Sequence, residues 1–191
     1  MSNPDKPRWP RSEAWPLAVT LMDELAPACE RIIIAGSLRR EKPTVGDIEL
    51  LYIPTVRPEP NPDSLFGDLI EVNYADRVIA RLEKNGTLGR RLSSNGHTAF
   101  GQKNKLMVYL PTGIPVDLFS TTAEAWFNYL VCRTGPAESN VAICDAAIER
   151  RMQWAPYGIG FVRPNLPPLV VHSERDVFEF VGLPYLEPNQ R

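Results

Sequence analysis

Apolar and polar positions along the chain follow two periods, and each marks its own kind of element. Between Ser12 and Cys29, Trp15, Leu17, Val19, Leu21, Met22 and Leu25 recur at helical spacing. They predict a helix with Ser12 as N-cap and Glu13 in the first turn. Arg31–Ala35 reads as a buried strand and Asp47–Ile53 as its partner. Arg57–Asp63, with prolines 54, 58, 60 and 62 in and around it, reads as a turn-rich loop that stops the sheet. Tyr74–Gly86 is an amphipathic helix pattern, with Val78, Ile79 and Leu82 on its apolar face and Gly86 as its stop. Two further strands are predicted around Lys105–Leu110 and Ile114–Phe119, joined by the turn Leu110–Gly113. Beyond Thr121 the pattern turns helical. One helix runs through Ala123–Cys132, and the chain breaks at Arg133–Pro136. A second helix carries Val141, Cys144 and Ile148 at helical spacing. After the proline- and glycine-rich Trp154–Pro168, a last helix opens at Ser173, with Asp176 placed for a near capping box.

The change near Ser120 divides the chain into a loose arm at 1–11, a mixed sheet-and-helix unit at 12–120 and a mostly helical unit at 121–191. This is an α+β organisation. At 191 residues, 43% hydrophobic and 23% charged, the chain is long enough for one domain or two small ones with a sizeable core. The formal net charge of −2 and pI of about 5.8 exclude holding long nucleic acid by charge alone. Any phosphate partner must be met by local basic clusters together with metal ions. Cys29, Cys132 and Cys144 fit neither a disulfide scaffold nor a zinc site. No apolar stretch approaches the ~20 residues of a membrane span. The polar, proline-rich start is unlike a signal peptide, so the expectation is a cytoplasmic protein with no membrane partner.

The chemistry concentrates in Ala35–Leu50. Asp47 and Glu49 sit two apart on a predicted strand and so share a face, while Ile48 and Leu50 point to the core. Two carboxylates that close repel each other unless a cation lies between them. Their oxygens suit hard divalent ions, magnesium above all. Asp117, between Val116 and Leu118, presents a third carboxylate in the same way. Three carboxylates from two strands can hold two metal ions, an arrangement suited to phosphoryl transfer. Upstream, Gly36 and Ser37 follow a strand, where backbone N–H groups and the serine hydroxyl can face a phosphate. Arg40 can fork onto phosphate oxygens, and Gly46 leaves room for a ligand beside the backbone. The corner and the acidic pair would then bind one nucleoside triphosphate between them. Taken alone, a D-x-E on a strand is an exposed polar face and a Gly-Ser is a turn. Asp117 is what tips the reading, and an Asp117 beyond ion-sharing reach of the other two, or buried against a lysine or arginine, would remove that support.

At these residues the sequence resembles the nucleotidyltransferase superfamily, and within it the X family of DNA polymerases, the polymerase beta-like group. Gly36–Leu51 resembles the family's Gly-Ser-x-Arg-Arg followed by Gly-Asp-x-Asp, and Val116–Phe119 the strand with the third aspartate. Arg133–Asn140 resembles the thumb motif, and Ser173–Arg191 the family's ending. The resemblance implies a mixed-sheet palm flanked by helices, followed by a small, mostly helical thumb. It implies that Asp47 and Glu49 hold two Mg2+ ions, with Mn2+ able to substitute, that Asp117 holds the catalytic one, and that Asp117 helps activate a primer 3′-hydroxyl. Gly36, Ser37, Arg40 and Gly46 would lie at the triphosphate, Thr134 and Gly135 against the sugar, and Asn140 at the minor-groove edge of the incoming base. The implied partners are a nucleoside triphosphate and a DNA primer–template.

The sequence departs from the family pattern at several positions. Glu49 replaces an aspartate. Cys132 and Arg133 replace an aromatic pair, Pro136 replaces a serine, and Pro115 stands where a primer-gripping arginine is usual. The match begins at the palm, with no lyase domain or helix-hairpin-helix clamp ahead of it. The expectation is therefore weak DNA binding by the chain alone and a partner protein in addition. Two other readings stay open: non-templated transfer to RNA, protein or a small acceptor, and a catalytically silent binding subunit. Arg90, Arg91, Lys103 and Lys105 could track a nucleic-acid backbone or simply solvate a loop.

Overall fold

The computed structural model describes residues 7–62, 64, 67–93 and 96–191. The chain opens with β1 (Trp9–Pro10), paired antiparallel with β3 (Thr44–Val45). Arg8 donates to the Thr44 hydroxyl at 3.0 Å and to the Thr44 carbonyl at 2.6 Å. The expected loose arm is thus docked from Arg8 onward, and residues 1–6 lie outside the described residues. Helix α1 (Arg11–Leu25) starts one residue before Ser12, which corrects the predicted N-cap. The Arg11 N–H is met instead by the Pro43 carbonyl at 2.9 Å. Ala14, Ala18, Leu21 and Leu25 form the buried stripe of α1, at the spacing of one helix face.

The central sheet has the order β2–β4–β9–β8–β7. Its strands are β2 (Cys29–Ile34), β4 (Ile48–Pro54), β7 (Leu88–Arg90), β8 (Asn104–Tyr109) and β9 (Ile114–Ser120). β4 and β9 run parallel and the other neighbours antiparallel, so the sheet is mixed. The short helix α2 (Gly36–Arg39) follows β2 directly. Alternation along β4 sends Ile48, Leu50 and Tyr52 to one face, where they pack with α1 and with Ala75, Ile79 and Leu82 of α3 (Tyr74–Lys84). Leu51 goes to the other face and packs with Phe119 and with Trp126, Tyr129 and Leu130 of α4 (Trp126–Thr134). Covering both faces is why β4 reads as a nearly continuous apolar run.

Arg57–Asp63, predicted as a loop, lies largely in β5 (Val56–Pro60), which pairs antiparallel with β6 (Leu69–Asn73). Asp63 is outside the described residues. A two-stranded ribbon consists of edge strands, each with one side free of ladder bonds, and such a ribbon tolerates Pro58 and Pro60. The basic stretch is likewise not a free cationic strip. Arg90 pairs with Glu83 at 2.7 Å, Arg91 with Asp117, and Lys105, only 3% exposed, with Asp76 at 2.8 Å.

The second half holds α4, α5 (Ala137–Glu149) and α6 (Glu174–Glu179). Beside them the proline- and glycine-rich stretch forms a three-stranded antiparallel sheet of β10 (Gln153–Trp154), β11 (Gly160–Arg163) and β12 (Leu166–Val170). Their common core contains Val131, Ile143, Ala147, Trp154, Phe161, Val177 and Phe178. On α5 the buried face is Ile143, Ala146 and Ala147, whereas Val141 and Ile148 of the predicted apolar stripe are exposed. At α6, Ser173 and Asp176 form the full capping box.

One junction ties α2 to this half. Arg39 grips Glu174 through two nitrogens, at 2.5 and 2.9 Å, and donates to the Thr134 hydroxyl at 2.6 Å. Arg191 adds a second cation on Glu174 at 3.3 Å, and Lys42 donates to the Arg191 carbonyl at 3.1 Å.

Candidate active site

Asp47 stands immediately before β4, Glu49 is its second residue, and Asp117 lies mid-strand on β9. The parallel register pairs Glu49 with Asp117 directly, and the antiparallel register of β8 places Leu106 opposite Asp117 on its other side. Neighbouring strands are about 4.8 Å apart, so Glu49 and Asp117 are lateral neighbours on one sheet face. That is the face carrying Leu51 and Phe119, which α4 covers two residues further along each strand. The carboxylates therefore sit at the margin of a packed layer rather than on an open polar face.

The electrostatics record this crowding. Burial pushes the Glu49 carboxyl up to about 8, and Asp47 and Asp117 push it the same way, while Arg133 and Arg40 oppose the shift. A half-buried carboxyl facing two like charges holds its proton unless a cation replaces it. The donor set, three carboxylates within one another's field, suits a hard divalent ion. As the side chains stand, however, no three acidic, histidine or cysteine groups among the described residues are gathered closely enough to hold a metal together. Asp117 Oδ1 accepts from Arg91 Nη2, so the third carboxylate does meet a basic side chain.

The basic corner abuts the acidic pair. Gly36 has φ +61°, and a Cβ there would run into the Glu49 carboxylate. Only glycine gives both the left-handed backbone and the clearance. The Ala35 N–H donates to the Glu49 carbonyl at 2.8 Å, which fixes the corner on the strand. Arg40 is half-buried. Burial lowers its pKa, and Glu49, Glu138 and Asp47 oppose that shift, which places its guanidinium in the field of the acidic pair. It donates to the Thr134 carbonyl. Ser37 is on α2 and partly exposed, and Gly46 is buried in the bend before Asp47.

The remaining predicted residues line the opposite bank. Thr134 ends α4 fully buried, and its hydroxyl accepts from Arg39 rather than standing free. Gly135 follows with φ +62°, and a Cβ there would lie 3.2 Å from Arg40. Asn140 on α5 donates one amide hydrogen to the Cys132 carbonyl at 2.9 Å, and its buried Oδ1 has no partner. The same amide nitrogen also lies 4.0 Å from Cys132 Sγ. A cavity of about 630 Å3 opens at the far ends of β4 and β9, lined by Pro54, Ser120, Thr121 and Tyr129 among others, and none of the predicted site residues lines it.

Reasoning from sequence missed three participants. Arg91 was grouped with a basic stretch, although its place beside β8 puts it in the carboxylate row. Arg133 lies 3.7 Å over the Phe119 ring and within 5.5 Å of the Tyr129 and Tyr157 rings, close enough to act on Glu49. Glu174 joins the two halves. Nothing in the one-dimensional pattern points to Arg91 or Glu174. For Arg133, the unusual cation before Thr-Gly was the available signal.

Known proteins resemble this chain in sequence and fold. The family described as DNA polymerase beta thumb matches residues 129–191. DNA polymerase lambda of Rattus norvegicus is 29% identical over 168 residues, covering 83% of this chain and 28% of the rat protein. The chain thus spans well under a third of that relative. A crystal structure of Leishmania infantum polymerase beta in a ternary P/T complex superposes with a TM-score of 0.72 at 20% identity. It covers 97% of this chain and 77% of the Leishmania chain, and so shows the fold. The chain therefore has the polymerase beta fold over nearly its whole length, and residues 129–191 match the DNA polymerase beta thumb family.

Proposed function

We propose that the chain is a nucleotidyltransferase that adds a nucleotide from a nucleoside triphosphate to a 3′-hydroxyl of DNA and releases pyrophosphate. The observation that carries this reading is the direct Glu49–Asp117 register on adjacent parallel strands, with Asp47 at the head of one and Gly36 set against the Glu49 carboxylate. Asp47, Glu49 and Asp117 would hold the divalent ions, Mg2+ or Mn2+. Two such ions, when bound, polarise the reacting phosphate and stabilise the charge on the departing pyrophosphate. Asp117 would orient the attacking hydroxyl and take up its proton. Arg40 and the Ser37 hydroxyl would fix the outer phosphates, with Arg40 exchanging the Thr134 carbonyl for a charged acceptor. Gly135 and Asn140 would bound the sugar and base.

Primer extension tests this, with deoxy- and ribonucleotides, with and without a template strand, using the wild type and Asp117→Ala. Templated incorporation that disappears in the variant supports the reading, and full activity in the variant overturns it. Equal incorporation of all four bases regardless of template would move the assignment to non-templated transfer. The Arg91–Asp117 ion pair favours a second reading, a binding subunit without catalysis. Failure of the wild type to bind Mg2+ or a triphosphate in calorimetry would select it.

A further inference from the structure

The Arg91–Asp117 ion pair serves no step of the proposed reaction, yet it sits on one of the three carboxylates. Arg91 is no loose surface side chain that happens to fall on the site. Its backbone N–H donates to the Leu106 carbonyl at 3.0 Å, and its Nε donates to the Met107 carbonyl at 3.1 Å. The sheet register thus lines up Arg91, Leu106, Asp117 and Glu49 in one transverse row. The two side chains are 25% and 14% exposed, so solvent and salt screen their attraction less than on an open surface. The guanidinium stands at the end of a row of like charges that repel one another. A cation there relieves the repulsion in the way a metal ion would.

We infer that Arg91 is a built-in counter-cation that holds the place of a divalent ion at Asp117 and thereby sets the metal affinity of the site. The inference rests on Asp47, Glu49 and Asp117 being the metal-binding carboxylates. Binding is an exchange. The Asp117 carboxylate lets go of the guanidinium and takes the divalent ion, while Arg91 stays tethered through its backbone and Nε. No covalent bond changes. Metal affinity is therefore lower than three carboxylates would give unopposed, and Arg91 sets the difference.

The test titrates Mn2+ alone into the full chain and follows free Mn2+ by electron paramagnetic resonance and heat by calorimetry. It compares the wild type with Arg91→Gln, Arg91→Met and the double variant Arg91→Gln/Asp117→Asn. Removing the guanidinium should tighten Mn2+ binding about tenfold, the scale of one partly screened charge–charge interaction. Met, which keeps the apolar stem, should match Gln, so the measurement survives if one of the two misfolds. In the Asp117→Asn background the gain should vanish. Wild-type binding with no gain in either folded single variant overturns the role of Arg91 and leaves the carboxylate reading standing. No Mn2+ binding in the wild type or in either single variant overturns the carboxylate reading and this inference with it.

Discussion

Two charged clusters a short distance apart show opposite solutions to burying ions. At the junction of α2 with the thumb, Glu174 lies between Arg39 and Arg191, and Arg39 also satisfies the Thr134 hydroxyl. There each charge has an opposite partner. In the palm, three carboxylates crowd one sheet face, Glu49 is driven up to about 8, and the cations that answer them come from three separate segments, at Arg40, Arg91 and Arg133. A structural cluster is closed on itself. The carboxylate cluster is left out of balance and is held that way by the scaffold, which is the arrangement expected of a ligand site. The contrast separates the arginines too. Arg39 and Arg40 are adjacent in sequence, yet Arg39 is committed to Glu174, whereas Arg40 lies in the field of the acidic pair and holds only a carbonyl.

The strongest challenge to this contrast is Asp117→Ala. It should reduce nucleotide incorporation on the order of 10^3-fold while the melting temperature stays close to wild type, because losing the Arg91 ion pair is offset by removing one of three repelling charges. A fall in stability with activity retained would make the palm cluster structural. Next is Glu174→Gln. It leaves Arg39 and Arg191 facing each other without their shared anion and should cost about 2–3 kcal/mol in denaturant unfolding. Metal affinity at the palm should stay unchanged. Gly36→Ala follows, expected to cost about 2 kcal/mol from the left-handed backbone alone, with further disturbance of the Glu49 carboxylate measured as weakened Mn2+ binding. A last effect concerns pH. The folded Glu49 keeps its proton up to about 8, whereas the unfolded chain loses it near the ordinary carboxylate value. The stability this proton contributes is complete below the unfolded value and is lost as pH rises toward 8. Thermal melts of the metal-free chain from pH 5 to 8 should show this decline, and Glu49→Gln should flatten it.

Much of this was legible in one dimension. The Gly-Ser corner, the D-x-E pair and the third aspartate announce themselves because strand periodicity and backbone chemistry are local properties. The α3 pattern and the β8–β9 turn are legible for the same reason. Other predictions gave way to tertiary context. Ser12 does not cap α1, because the pairing of β1 with β3 brings the Pro43 carbonyl to the helix start. The prolines of β5 do not prevent a strand, because a ribbon leaves them an edge. The stripe Val141, Cys144, Ile148 looked apolar, yet α5 rolls Ile143 and Ala147 inward to meet Trp154 and Phe161.

Residue order alone was enough to set Asp47 and Glu49 on one strand face and a glycine turn at Gly36 after the strand before it, since two-residue spacing and a glycine turn need no distant partner. It could not settle which cations answer those side chains. Arg91 reaches Asp117 across 26 residues and Arg39 reaches Glu174 across 135, through a sheet register and a packed domain junction. Ion pairing depends on distance in space and on burial, and both exist only once the chain has folded.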